Sequence, residues 1–282
     1  MTVLFDGIAF GMLLFLISVG LSVTLGLMNF INLAHGAFAM LGGYVCVSLL
    51  NRAGVPFLLT LPLATLASAA AGVVLERALY RRMYAASHLE QVLFSIALVF
   101  IAMAAAQWTF GAGQQPVQLP PMLSGQLHVG DADIGVYRLV LIVLGLCIAG
   151  LLQLLVSGTR FGAQLRAAVD NPRVASAMGI NVGRLFALAF ALGTALAGLG
   201  GALGIDTLGL DPSFAIKYIV YFLIVIAVGG SGSIPGSLVA SLLIGVVDVA
   251  GKYYLPQAGA FLIYTVMVVM LIARPQGLFG QK

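Results

Sequence analysis

Residues 7–51 read GIAFGMLLFLISVGLSVTLGLMNFINLAHGAFAMLGGYVCVSLLN, with no Asp, Glu, Lys or Arg between Asp6 and Arg52. A helix that crosses a bilayer needs about 20 mostly apolar residues. This run therefore holds two crossings. In its middle lie Asn29, Asn32, His35 and Gly36, which interrupt an otherwise apolar stretch.

The same pattern continues along the chain. The charge-free gaps between Arg52 and Glu76, Arg138 and Arg160, Arg184 and Asp206, and Lys252 and Arg274 each fit one span. Helical spans are expected near 7–28, 34–51, 56–79, 89–111, 136–157, 184–204, 213–229, 236–251 and 257–273. That gives an all-α, polytopic transmembrane bundle of about nine spans, read as a single permease domain over 1–282. The eighth span is the shortest and carries Asp248. A membrane barrel would instead show alternating segments of roughly 10 residues.

Composition agrees. Of 282 residues, 61% are hydrophobic and 8% are charged, where soluble domains carry about 25% charged. So few charges could not cover a soluble surface, and disordered chains are poor in apolar residues. The net charge of +4 reflects basic loops and argues for no nucleic acid. Arg77, Arg81, Arg82, Arg160, Arg166, Arg173, Arg184, Arg274 and Lys282 form one set. Arg52, Arg138, Lys217 and Lys252 form the opposite one. The richer set is expected in the cytoplasm, with the N-terminus outside and the C-terminus inside. The first residues lack a positive flank, so the first apolar run is expected to be retained. Cys46 and Cys147 fall inside spans and are expected to be small core residues.

Three irregular regions stand out. The first, Gly26 to Gly43, is either a tight turn capped by Asn29 and Asn32 or a broken helix beside a transport pathway. The second, 158–184, contains a short helix. Asp170 or Asn171 can cap its start, Pro172 suits its first position, and Gly179 suits the left-handed residue after its end. Arg173–Met178 is too short to stand alone in water. It packs along its own bundle or, as its exposed Arg, small residues and Met favour, plugs into a cytoplasmic partner. The third, Val228 to Ser237, holds Gly229, Gly230, Gly232, Pro235 and Gly236 and cannot continue a helix. It reads as a turn or re-entrant break near the cytoplasmic side. Asp248 lies inside a span and is expected to pair with Lys252 four residues on.

No Gly-x-x-x-x-Gly-Lys-Ser/Thr loop occurs, so the chain is not an ATPase. His35, His88 and His128 are scattered, so neither a metal hydrolase nor another membrane enzyme is supported, and no metal site is expected. An ion-coupled secondary transporter would use intramembrane acids or His, and only His35 and Asp248 are on offer.

The motif Gly26-Leu27-Met28-Asn29-Phe30-Ile31-Asn32-Leu33-Ala34-His35-Gly36, followed by Gly42-Gly43-Tyr44, resembles the H-type permease subunit of branched-chain amino acid ABC importers. Arg166–Asn181 is similar to that family's cytoplasmic coupling segment, 229–236 to its Gly-rich break, and Arg274–Gly280 to its ending. The resemblance covers about residues 5–280. It implies the ribose/branched-chain permease superfamily and a multi-pass protein of the bacterial inner membrane. The implied partners are a second, M-type permease, two cytoplasmic ATPases and a periplasmic solute-binding protein. No cofactor is implied on this chain, since ATP would be bound by the ATPases. Asn171–Gly179 would insert into an ATPase groove. Charge is nearly absent from the presumed pathway, so no residue is expected to anchor solute by charge. Similar permeases carry other amino acids, amides or urea, and the sequence does not decide among them.

Overall fold

The computed structural model describes residues 2–28, 30, 32–129 and 132–280. Asn29, Asp131 and Lys282 therefore lie outside the described residues. Each apolar run forms a helix: α1 (Thr2–Met28), α2 (His35–Asn51), α3 (Phe57–Leu75), α5 (His88–Phe110), α6 (Val136–Gly158), α9 (Val182–Leu208), α10 (Phe214–Gly229), α11 (Ile234–Tyr254) and α12 (Gly259–Ala273). The short α4 (Arg81–Met83), α7 (Arg160–Asp170) and α8 (Pro172–Ala177) fill the connections. Among the described residues six helices are long and apolar enough to cross a membrane, and three shorter apolar helices join them.

The structure departs from the sequence reading in four places. The eighth span runs over Ile234–Tyr254, 21 residues, longer than 236–251. The Ser233 hydroxyl accepts from the Gly236 amide at 3.1 Å, and Pro235 sits in the first turn, where its missing N–H costs no bond. The third span continues past 79 through a π-helical turn, Glu76–Tyr80, into α4. The long loop before α6 carries an antiparallel hairpin, Gln126–Val129 with Ala132–Gly135, inside an otherwise helical fold. Cys46 is buried against the Thr60 hydroxyl, whereas Cys147 is exposed on α6.

Burial sorts the helices. In α1, 89% of the apolar window is buried, but only 22% in α3, α5 and α6. A helix that is apolar all round belongs in the centre, and Leu13 to Ile17 are fully enclosed. Leu66, Phe100 and Leu154 point outward, as lipid-facing residues do.

The centre is held by close backbone approach. A Cβ on Gly193 would lie 2.9 Å from the Gly20 carbonyl oxygen, and one on Gly20 would overlap Gly193 in return. Small residues permit such contact where lipid offers no hydrophobic drive for helices to associate. This crossing relates two halves. α1 and α9 have 27 residues each, α2 and α10 have 17 and 16, and α3 and α11 have 19 and 21. α1 packs on α11 as α9 packs on α3. Val23, near the end of α1, clusters with Leu185 and Ala189, near the start of α9, so the two run in opposite directions. The fold is an inverted repeat, and each half contains a long helix followed by a break and a shorter helix.

Candidate functional site

Three regions of the bundle gather the polar and irregular features. One end, where α1 and α10 finish and α9 and α11 begin, collects most of the quoted motifs. The Gly-rich segment makes a turn only four residues long, between Gly229 and Ile234. Gly230 (φ +94°) and Gly232 (φ +79°) occupy the left-handed region that favours glycine. The Gly232 amide donates to the Ser22 hydroxyl of α1 at 3.1 Å. A Cβ on Gly26 would overlap the Gly232 backbone, and one on Gly229 would lie 2.6 Å from the Gly236 carbonyl oxygen. The C-terminal segment closes over this turn. The Leu278 amide donates to the Val228 carbonyl at 2.7 Å and the Phe279 amide to the Gly229 carbonyl at 3.2 Å. Motifs about 200 residues apart in sequence, Ser22 and Gly232 among them, are thus one contact cluster.

At the same end sits α8. Asn171, not Asp170, is its cap: the Asn171 carboxamide oxygen accepts from the Val174 amide at 3.1 Å, while Asp170 ends α7. Pro172 opens α8 and Gly179 (φ +84°) follows it. Ala175 is buried against α7 and α9, in a cluster with Leu165, Ala168 and Leu185. The opposite side is bare: Arg173 is exposed, Val174 is 53% exposed and Met178 is 79% exposed. The short helix is therefore held by one face and presents the other. α7 itself escapes the sequence reading, although Phe161, Leu165 and Ala168 at i, i+4 and i+7 give it an apolar face.

The second region is the break between α1 and α2. The His35 Nε2–H donates to the Ile17 carbonyl at 2.8 Å. Ile17 lies near the middle of α1, a helix about 40 Å long at 1.5 Å per residue. α2 therefore starts deep inside the bundle. The Asn32 side-chain oxygen accepts from the Ala34 amide at 3.1 Å and from the Tyr80 hydroxyl at 2.9 Å. Tyr80 is fully buried and stacks edge-on with Phe30 and Phe94; no local sequence pattern points to it. Among the described residues the Asn32 amide nitrogen, His35 Nδ1 and the Tyr44 hydroxyl are buried without a hydrogen-bond partner. Such groups can take a bond from water or a passing solute. An apolar cleft of about 330 Å³ runs beside them from Ala34 and Tyr80 to Tyr44 and Phe110.

The third region is the start of α10. A Cβ on Gly36 would lie 2.9 Å from the Ala215 carbonyl oxygen. α10 therefore begins at the depth where α2 begins, and the N-terminal ends of two half-helices meet inside the bundle. Lys217 stands exposed in the first turn of α10.

Asp248 proves structural. Its carboxylate pairs with Lys252 at 2.6 Å, as the i,i+4 spacing predicts, and accepts a second bond from the Tyr221 hydroxyl at 3.0 Å. The same end of the bundle, where Gly7 of α1 lies against Val246 of α11, is also tied by an ion pair between Asp6 of α1 and Arg138 of α6.

Residues 3–272 match the family described as branched-chain amino acid transport system, permease component. The permease BraD of Pseudomonas aeruginosa, named for high-affinity branched-chain amino acid transport, is 25% identical over 99% of this chain and 95% of its own. LivH of Escherichia coli strain K12, named for the same transport, is 26% identical over 99% of this chain and 94% of its own. LivM of Salmonella typhimurium, a permease of the same named system, is 26% identical over 95% of this chain and 68% of its own. No solved structure matches the chain. The apolar helices, the breaks inside the bundle and the match over nearly every residue lead to one statement: this multi-pass membrane protein belongs to the family of branched-chain amino acid transport system permease components.

Proposed function

We propose that the chain is one of two permease subunits of an ABC importer for branched-chain amino acids in the bacterial inner membrane. The partner is an M-type permease, two ATPases sit on the cytoplasmic side, and a periplasmic binding protein delivers the solute. One observation carries this reading. A chain of this family holds a short helix, α8, by its buried Ala175 and leaves Val174 and Met178 bare. An apolar tip in water marks a protein contact, and its end of the bundle also carries Arg77, Arg81, Arg82, Arg160, Arg166, Arg184 and Arg274. That basic excess supports placing α8 and the C-terminus in the cytoplasm and the N-terminus outside.

In this reading Asp170, Asn171, Pro172, Arg173, Met178 and Gly179 form the knob that an ATPase grips. The Gly-rich break at Gly229, Gly230, Gly232, Pro235 and Gly236 hinges α10 against α11 beside it. Asn32, His35 and Gly36 border the pathway that the two permeases enclose. ATP hydrolysis takes place on the partners, and this chain binds no cofactor.

Affinity purification of the tagged chain, expressed with its neighbouring subunits, tests the assembly. A second permease and an ATPase should elute with it, and one loaded binding protein should stimulate ATP hydrolysis and so name the solute. A chain that purifies alone and transports alone would defeat the proposal.

A further inference from the structure

Ligand pockets are clefts of about 300–1,000 Å³ with mostly apolar walls and a few placed polar groups. The cleft of about 330 Å³ beside α2 has that make-up. Ala37, Leu41, Leu98, Ala102 and Ala106 give it small and aliphatic walls from α2 and α5. Tyr44, Tyr80 and Thr109 each bring a hydroxyl to its lining, and two of these are committed. Tyr80 donates to the Asn32 side-chain oxygen, and Thr109 donates to the Ala105 carbonyl at 2.7 Å. Tyr44 is 4% exposed, and its hydroxyl has no partner. A buried hydroxyl left unbonded costs stability. A phenylalanine would stack on Phe110 as Tyr44 does, with ring centroids 4.4 Å apart, and avoid that cost. The hydroxyl thus points to a partner from outside the chain.

The course of the cleft narrows what that partner is. Its inner end, at Ala34 and Tyr80, adjoins the break between α1 and α2, because Tyr80 is bonded to Asn32. Its other end, at Tyr44 and Phe110, lies about 15 Å further along α2 at 1.5 Å per residue. Gln115 donates from its side chain to the Phe110 carbonyl at 3.2 Å and from its amide to the Leu210 carbonyl at 2.8 Å, just past the end of α9. α9 begins beside α8. This end of the cleft therefore faces away from α8, which is outward in the importer reading. The cleft joins that end to the break, and none of its lining side chains is charged. A branched apolar group fits such walls, and a carboxylate can accept from the one uncommitted hydroxyl. We propose that the cleft between α2 and α5 seats a translocating branched-chain amino acid. The Tyr44 hydroxyl donates to its carboxylate, and Ala37, Leu98, Ala102 and Ala106 receive its side chain. This assignment rests on the importer reading above and goes beyond it by naming the residues that touch the solute.

The test uses the complete importer in proteoliposomes, with a loaded binding protein and radiolabelled leucine as solute. Tyr44→Phe should lower the maximal uptake rate about tenfold while the thermal midpoint holds or rises, since only an unbonded oxygen is lost. A purely structural Tyr44 would leave uptake unchanged. Ala102→Cys, in a Cys147→Ala background because Cys46 is buried, probes the cleft independently. Its thiol should react with the charged reagent sulfonatoethyl methanethiosulfonate, and leucine under turnover should slow the reaction. Uptake by Tyr44→Phe at the wild-type rate, or labelling that leucine leaves unchanged, would overturn the assignment. So would a thiol that reacts with lipid-soluble N-phenylmaleimide alone, which would give the cleft to a lipid chain. Failure of the unaltered complex to take up leucine with ATP would instead count against the importer reading itself.

Discussion

Met178→Asp is expected to abolish ATP-driven uptake while leaving the permease folded. Met178 is 79% exposed and follows α8 as its cap, so the change removes almost no intramolecular contact. Surface changes of this kind usually shift stability by no more than about 0.5 kcal/mol. Once α8 is gripped by an ATPase, the same position is enclosed. A carboxylate buried there without a partner costs about 3–5 kcal/mol, which weakens the contact roughly 150-fold or more at 1.4 kcal/mol per decade. Arg173→Glu should act in the same direction, since it reverses an exposed charge on the same short helix. The measurement is paired: size-exclusion behaviour of the variant permease, and uptake together with binding-protein-stimulated ATP hydrolysis in vesicles. Unchanged elution with uncoupled or dissociated ATPase is the expected result. Normal uptake by either variant would remove α8 from the coupling role.

The second large effect concerns the crossing of the two long helices. Gly20→Leu or Gly193→Leu should prevent the bundle from forming. Each Cβ would press on the other helix's backbone, and backbone cannot turn aside as a side chain can. Overpacking of an ordinary core costs about 1–3 kcal/mol. Here the inserted group meets main chain at the centre of the inverted repeat, so a loss above about 4 kcal/mol is expected. Gly150→Leu provides the comparison. Gly150 lies in α6 with nothing within 4 Å of its Cβ direction, so the same substitution on the outer face should be tolerated. Yield of monodisperse protein in detergent and its thermal midpoint measure both. A stable Gly193→Leu protein would contradict the backbone contact described here.

The helices are legible in the sequence because charge gaps of one or two span lengths leave few alternatives. The α8 motif is equally legible, since Asn171, Pro172 and Gly179 each do something local that a residue type can announce. The eighth span reads too short because Ile234 and Pro235 count with the break and Lys252 is taken to mark its end. Only the observed cap by Ser233 shows that the helix starts at Ile234. Tyr80 and Glu76 escape for a different reason. They close a π-helical turn, and Tyr80 meets Asn32 from 48 residues away, a pairing that no local pattern announces. The Gly36–Ala215 approach, which brings the starts of α2 and α10 together, depends on the fold and has no local signal. The docking of Leu278 and Phe279 on the Gly-rich turn likewise joins distant motifs through backbone bonds that any side chain could accompany.

The central claim is that this permease is driven by ATP on partner subunits rather than by an ion gradient. Among the described residues the two buried carboxylates within spans are already partnered, Asp248 by Lys252 and Tyr221 and Glu76 by the Tyr84 hydroxyl. The most direct measurement is solute uptake by the reconstituted complex with a loaded binding protein, with internal ATP and the proton gradient varied separately. Uptake should require internal ATP and persist when an ionophore collapses the gradient. Uptake that survives ATP depletion and vanishes with the gradient would contradict the account.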